Sequence, residues 1–231
     1  MRINAVYFVN VIDEHLAKIA GIDFSFKDAS LKAIVDKINA GNSREPATAG
    51  AYRDNLLYYA QKNNDAFAKA FLMTGDWRND SAAYGQAQEI RNALAHGNAI
   101  TQESVDLFNA AFPGYDFDVD GNFTLSPEMA AAFSLIKPRR VANNVELLPT
   151  FYALECAFCE RFKRPFAVFQ SIAKFVIGAA LRNDYSVATR RDCQEMWKIN
   201  NIRNRYAHTG RITASERAYV AKIAAKYGVE F

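Results

Sequence analysis

Long hydrophobic runs are missing from this chain. No apolar stretch reaches the ~18 residues a membrane span needs, and the closest, residues 166–181, is interrupted by Gln170, Ser171 and Lys174. The N-terminal apolar stretch is broken by Asn10, runs into Asp13 and Glu14, and has no small-residue cleavage site, so it reads as part of a fold and not as a signal peptide. Cysteine is scarce: three thiols, an odd number, suit a reducing cytoplasm better than a disulfide scaffold. Glycine (11) and proline (6) are few and alanine is abundant, which favours a mostly helical chain. No cluster of carboxylates or cysteines has metal-ligand spacing around the motifs described below, so no metal and no cofactor is expected. Cys156-x-x-Cys159 lies in an aromatic helical pattern and reads as structural.

Histidine is equally scarce, and its placement is informative. The chain of 231 residues has three, and two stand in copies of one string. The first copy is Ile90, Arg91, Asn92, Ala95, His96, Ile100 and Thr101; the second is Ile202, Arg203, Asn204, Ala207, His208, Ile212 and Thr213. Every matched pair is 112 residues apart, with no gap. With 16 arginines in the chain, a given histidine has roughly a 7% chance of an arginine five residues earlier, so two of three by accident is about a 1% event. The copies are related.

Charge divides along the same lines. Residues 1–137 carry a net −5 and residues 138–231 a net +8, and a basic C-terminal half is a plausible footprint for a polyanion. Helical periodicity predicts helices near 5–20, 27–41, 48–62, 64–74, 82–96, 102–112, 127–136, 143–163, 165–182, 187–207 and 214–228. Ser126-Pro127 and Thr213-x-x-Glu216 signal helix starts, Pro165 suits a first turn, and Pro149 should kink or restart its helix. Between the halves, alternating residues flank Asp120-Gly121, a strong hairpin signal. The same stretch carries part of a calcium-loop pattern at Asp116, Asp118 and Asp120, but Pro127 occupies the position of the bidentate ligand and Glu128 falls one residue late, so the hairpin is preferred. The expected architecture is all-α: two helical-bundle halves related by pseudo-twofold symmetry, at 1–114 and 126–231, joined by a short β-hairpin at 115–125.

Each arginine rises from a small or apolar stripe: Ala87 and Ala95 flank Arg91 by one turn, and Ile199 and Ala207 flank Arg203. A buried guanidinium needs an anionic partner, and the second copy of the stripe is the expected opposite surface. Each histidine falls where its helix should end, before Gly97 or before Thr209-Gly210. Without a metal, a neutral imidazole can deprotonate a hydroxyl while a protonated one supplies the leaving group, and guanidinium forks suit phosphate oxygens. RNA carries such a nucleophile, its 2′-hydroxyl, beside each phosphodiester. The chemistry indicated is cleavage to a 2′,3′-cyclic phosphate and a 5′-hydroxyl.

Arg-Asn-x-x-x-His at the end of a helix in an all-α chain resembles the HEPN superfamily, whose signature is arginine, four to six residues, then histidine. The resemblance covers both halves loosely and both motif neighbourhoods closely. It implies a metal-independent endoribonuclease with Arg91, His96, Arg203 and His208 catalytic and Asn92 and Asn204 supporting. It also implies a toxin or phage-defence role, an antitoxin or regulatory partner, and paired motifs, within one chain or in a homodimer. The tyrosine that one toxin family carries two residues after its histidine is replaced by Asn98 and Gly210, which sets that adenylylation-controlled subgroup aside. Arg139, Arg140, Arg190, Arg191, Arg205 and Arg211 are candidate RNA-backbone contacts, although charge runs are more often solvated faces. His15 reads as a surface or satisfied residue, and the recurring aromatics from Phe151 to Phe175 as core. The alternative is a non-catalytic RNA- or protein-binding helical module.

Overall fold

The computed structural model describes residues 1–19, 77–111, 116–162, 175–176, 179, 181 and 183–231. The helices expected at 27–41, 48–62 and 64–74, and most of that at 165–182 with Pro165, lie outside the described residues. Among the described residues the chain is mostly helical, with one two-stranded sheet, and it divides into compact units Met1–Ala142 and Asn143–Phe231. No described helix is long and apolar enough to cross a membrane.

The first unit begins with β1 (Arg2–Asn4) and α1 (Ala5–Ile19). Asn4 ends the strand by turning its side chain onto the new helix, where Oδ1 accepts from the Val6 amide at 2.9 Å. Then come α2 (Trp77–Ala95), α3 (Gln102–Ala111), β2 (Asn122–Thr124) and α4 (Pro127–Ser134). The turn at Asp120-Gly121 forms as expected, with a single antiparallel bridge between Phe117 and Phe123. The sheet itself arises differently: β2 pairs antiparallel with the N-terminal strand, placing Ile3 opposite Phe123.

The expected connector is therefore core. Phe117, Phe123 and Leu125 are buried with Phe8, Val9 and Ile12 of α1, Phe108 of α3, and Met129 and Phe133 of α4. Phe8 packs its ring 5.3 Å from Phe123 and 5.4 Å from Phe133. The boundary accordingly falls after Ala142 and not at 125, because α4 buries its apolar face in the first unit. Its start follows the Ser-Pro signal, Ser126 Oγ accepting from the Met129 amide at 3.2 Å. The aspartates of the calcium-like pattern have other partners: Asp118 and Asp120 both hold the Arg2 guanidinium.

The second unit has α5 (Leu148–Arg161), α6 (Arg190–Thr209) and α7 (Ala214–Tyr227). Pro149 sits in the first turn of α5, so it starts this helix instead of kinking a longer one. Thr189 caps α6 with a reciprocal Asp192 box, and Thr213 caps α7 with the expected Glu216 box. The three helices pack on one another, with Phe151 5.7 Å from Tyr206 and Phe158 edge-on to Tyr227 at 4.6 Å. Leu154, Met196, Ile199, Ile202, Val220 and Ile223 complete this core.

Candidate functional site

Both repeats form a related local structure, a helix with histidine at or just past its end, a turn, and a threonine-capped second helix. α3 and α7 start 112 residues apart, the offset of the motif. Thr101 Oγ1 accepts from the Ser104 amide at 3.2 Å, and Thr213 Oγ1 accepts from the Glu216 amide at 3.2 Å, the equivalent bond. The repeated threonine is thus a helix cap, a role that its spacing before each helix explains.

The helix ends differ. α2 stops at Ala95, and His96 is exposed in the turn before Gly97, whose φ of 71° is left-handed. α6 runs on to Thr209, so His208 lies half-buried within its last turn and Gly210, at φ 62°, closes the helix. The repeats thus place imidazoles at comparable but not identical points: one just beyond the helix, one just inside it.

Both motif arginines are buried, each 6% exposed. Arg91 Nη1 donates to Asn10 Oδ1 at 2.9 Å, and Nη2 lies 3.4 Å from Asp13 Oδ2. The same carboxylate accepts from Tyr84 Oη and from Gln88 Nε2, the latter at 3.0 Å. Tyr84, Gln88 and Arg91 fall on successive turns of one α2 face, so the whole face reads onto α1 through Asp13. Arg203 Nη2 lies 3.2 Å from Glu155 Oε2 of α5, and Nη1 donates to Asn204 Oδ1 at 3.0 Å.

Each buried guanidinium therefore has a carboxylate partner within its own unit. Arg and His five apart on a helix are turned by about 140°. The arginine faces inward to its neighbouring helix while the histidine stands at the helix end. Both motif asparagines are exposed, and Asn204 Oδ1 accepts from its own arginine. Asp13 and Glu155, with Asn10, are the residues that sequence reasoning missed. They lie 78 and 48 residues before their arginines, at no common offset. The one available signal was the rule that a buried arginine is paired, which says that a partner exists but not which.

The candidate backbone contacts scatter. Arg139 and Arg140 belong to the first unit, where Glu14 accepts the amides of Arg139, Arg140 and Val141 at 2.8–3.2 Å and so fixes the loop. Arg190 lies over the Tyr185 ring at 5.3 Å, and Arg191 pairs with Glu195 one turn on. Arg205 pairs with Glu216 of α7. Burial would raise the Glu216 carboxyl, but the Arg205 guanidinium and the Thr213 amide and hydroxyl outweigh it and hold it at about 2. Arg211, exposed in the turn after His208, lines a cavity together with Arg205.

Elsewhere, burial raises the Cys159 and Cys193 thiols, so neither is poised as a thiolate, as expected of structural cysteines. Among the described residues no group of three or more His, Cys, Asp or Glu side chains could hold a metal ion. No family model, curated protein or solved structure matches this chain.

Proposed function

We propose that this chain is an endoribonuclease of the HEPN kind, acting in the cytoplasm by 2′-hydroxyl attack and leaving a 2′,3′-cyclic phosphate and a 5′-hydroxyl. The observation that carries this reading is the duplicated unit of arginine, helix-terminal histidine and threonine cap, whose local structure recurs in both copies. His96 and His208 are the proton-transfer groups, a neutral imidazole taking the 2′-hydroxyl proton and an imidazolium returning one to the leaving oxygen. Arg91 and Arg203 hold each motif helix in place through Asp13 and Glu155. A toxin or defence role, with an antitoxin or trigger restraining it, belongs to the same proposal by analogy with the superfamily.

A second reading has an observation in its favour. Both motif arginines are engaged by carboxylates of their own unit, as a purely structural pair would be. On that reading the chain is a non-catalytic RNA- or protein-binding module. One assay separates the two: unstructured RNA is incubated in EDTA with wild type, His96→Ala and His208→Ala. The nuclease reading expects wild-type cleavage, cyclic-phosphate ends, a bell-shaped pH dependence and a loss of about 10²- to 10⁴-fold in each variant. Cleavage by both variants at the wild-type rate removes His96 and His208 from the catalytic step, and RNA retention with no cleavage by any of them decides for the module.

A further inference from the structure

We infer that the turn after His208 forms a nucleotide phosphate subsite within the second unit, a proposal that rests on the ribonuclease reading and sharpens it. A cavity of about 530 Å³ lies beside that turn, lined by Asn144, Arg205, Arg211, Ile212, Glu216 and Arg217 among others. Its size falls in the range of small-molecule pockets, roughly 300–1,000 Å³. Three guanidinium groups reach it from three separate segments: Arg205 from α6, Arg211 from the turn, and Arg217 from α7.

Among the described lining residues three guanidinium groups face a single carboxylate. Glu216 neutralises Arg205, and it is the only acid among the described lining residues. Arg217 Nη1 meets Glu146 at 2.7 Å, but both side chains are about half exposed, and a pair so solvated is worth little and is readily exchanged. A guanidinium carries five N–H donors, so one carboxylate contact leaves Arg217 others to offer. Its position is fixed further by the Phe231 ring, 5.6 Å from the guanidinium carbon.

Phosphate fits such a place better than a carboxylate does. Its several oxygens can accept from more than one fork at once, and arginine supplies that geometry. Gly210, Ile212 and Ala214 add apolar lining against which a ribose or base can rest. Arg205 and Arg211 stand three residues before and three after His208. On the ribonuclease reading, the subsite takes the phosphate of a nucleotide flanking the linkage on which His208 acts.

The test uses the full chain carrying His96→Ala and His208→Ala, so that RNA binds without turnover. A fluorescent decauridylate, with uridine monophosphate and inorganic pyrophosphate as competitors, reports on the site across a salt series. Adding Arg211→Ala and Arg217→Ala should weaken decauridylate binding about tenfold or more and lower the salt slope by about 0.7, the value for one phosphate left without its guanidinium partners. Arg211→Lys with Arg217→Lys should keep the slope and weaken binding only a few-fold, which separates phosphate recognition from a folding defect. Pyrophosphate should compete before the alanine changes and not after them. Binding of uridine monophosphate read by calorimetry and lost in the alanine variant, without decauridylate binding, would assign the same subsite to a free nucleotide. Unchanged affinity and slope in the alanine variant overturns the subsite, even if the wild-type chain cleaves RNA. Conversely, arginine-dependent binding by a wild-type chain that never cleaves RNA sinks the nuclease reading and leaves the subsite standing.

Discussion

Changing Asp13 to asparagine removes the charge facing Arg91 while leaving a side chain of the same shape for Tyr84 and Gln88. Arg91 is almost wholly enclosed, so the variant takes a carboxylate partner from a buried cation, a fault that costs up to about 3–5 kcal/mol. Glu155→Gln does the same to Arg203. Denaturant midpoints check both, and midpoints within experimental error of wild type would mean that these carboxylates do not anchor the arginines. Removing both partners has a different result: Arg203→Met with Glu155→Leu should be less destabilised than either single change, since an apolar pair of similar volume needs no compensation. The arginines themselves could be picked from the sequence because their stripes were apolar. Their partners could not, since nothing local ties residue 13 to 91 or 155 to 203.

Helix ends carry the next set of effects. Thr213→Ala removes the hydroxyl that caps α7 and should cost about 1 kcal/mol, with faster hydrogen exchange at residues 214–217. Glu216 makes that cap pH-dependent. Its folded value of about 2 lies below the ordinary 4.5, so its contribution is complete above about pH 4.5 and is lost as pH falls towards 2. Hydrogen exchange at the start of α7 should therefore accelerate through that window, and Glu216→Gln should flatten the change. A second sensitive point is Gly121. Its φ of 79° is left-handed, and a Cβ there would stand 3.0 Å from Leu94 Cδ1 of α2. Gly121→Ala should cost about 1–2 kcal/mol from backbone conformation alone, read as a lower melting temperature. Caps and turns of this kind were legible in advance, as at Ser126-Pro127, Thr213-x-x-Glu216 and Asp120-Gly121, because the residues that form them are neighbours in the chain.

At the scale of the molecule, the two compact units differ in charge: Met1–Ala142 carries a net −3 and Asn143–Phe231 a net +6. The second has a core of its own, in which Phe151, Leu154, Phe158, Met196, Ile202, Tyr206, Val220 and Ile223 are buried. Residues 143–231 expressed alone should give a helical circular dichroism spectrum and a cooperative melt. A broad, non-cooperative melt would show that this core depends on the first unit. The basic pair Arg139 and Arg140, which charge counting assigns to the C-terminal half, stays with the first unit because Glu14 of α1 takes the amides of Arg139, Arg140 and Val141.

The sequence by itself determined the helical class, the repeat and the starts of α1, α3, α4 and α7, whereas α2 starts five residues earlier and α5 five residues later than periodicity predicts. What it determined follows from residues within a turn or two of one another, through periodicity, capping and the conformational freedom of glycine. Only the tertiary structure decided that β2 pairs with the N-terminal strand, that α4 belongs to the first core, and that Asp13 and Glu155 answer the motif arginines. Those pairings join distant segments, selected by which faces are buried together, and burial is a property of the folded chain and not of any local pattern.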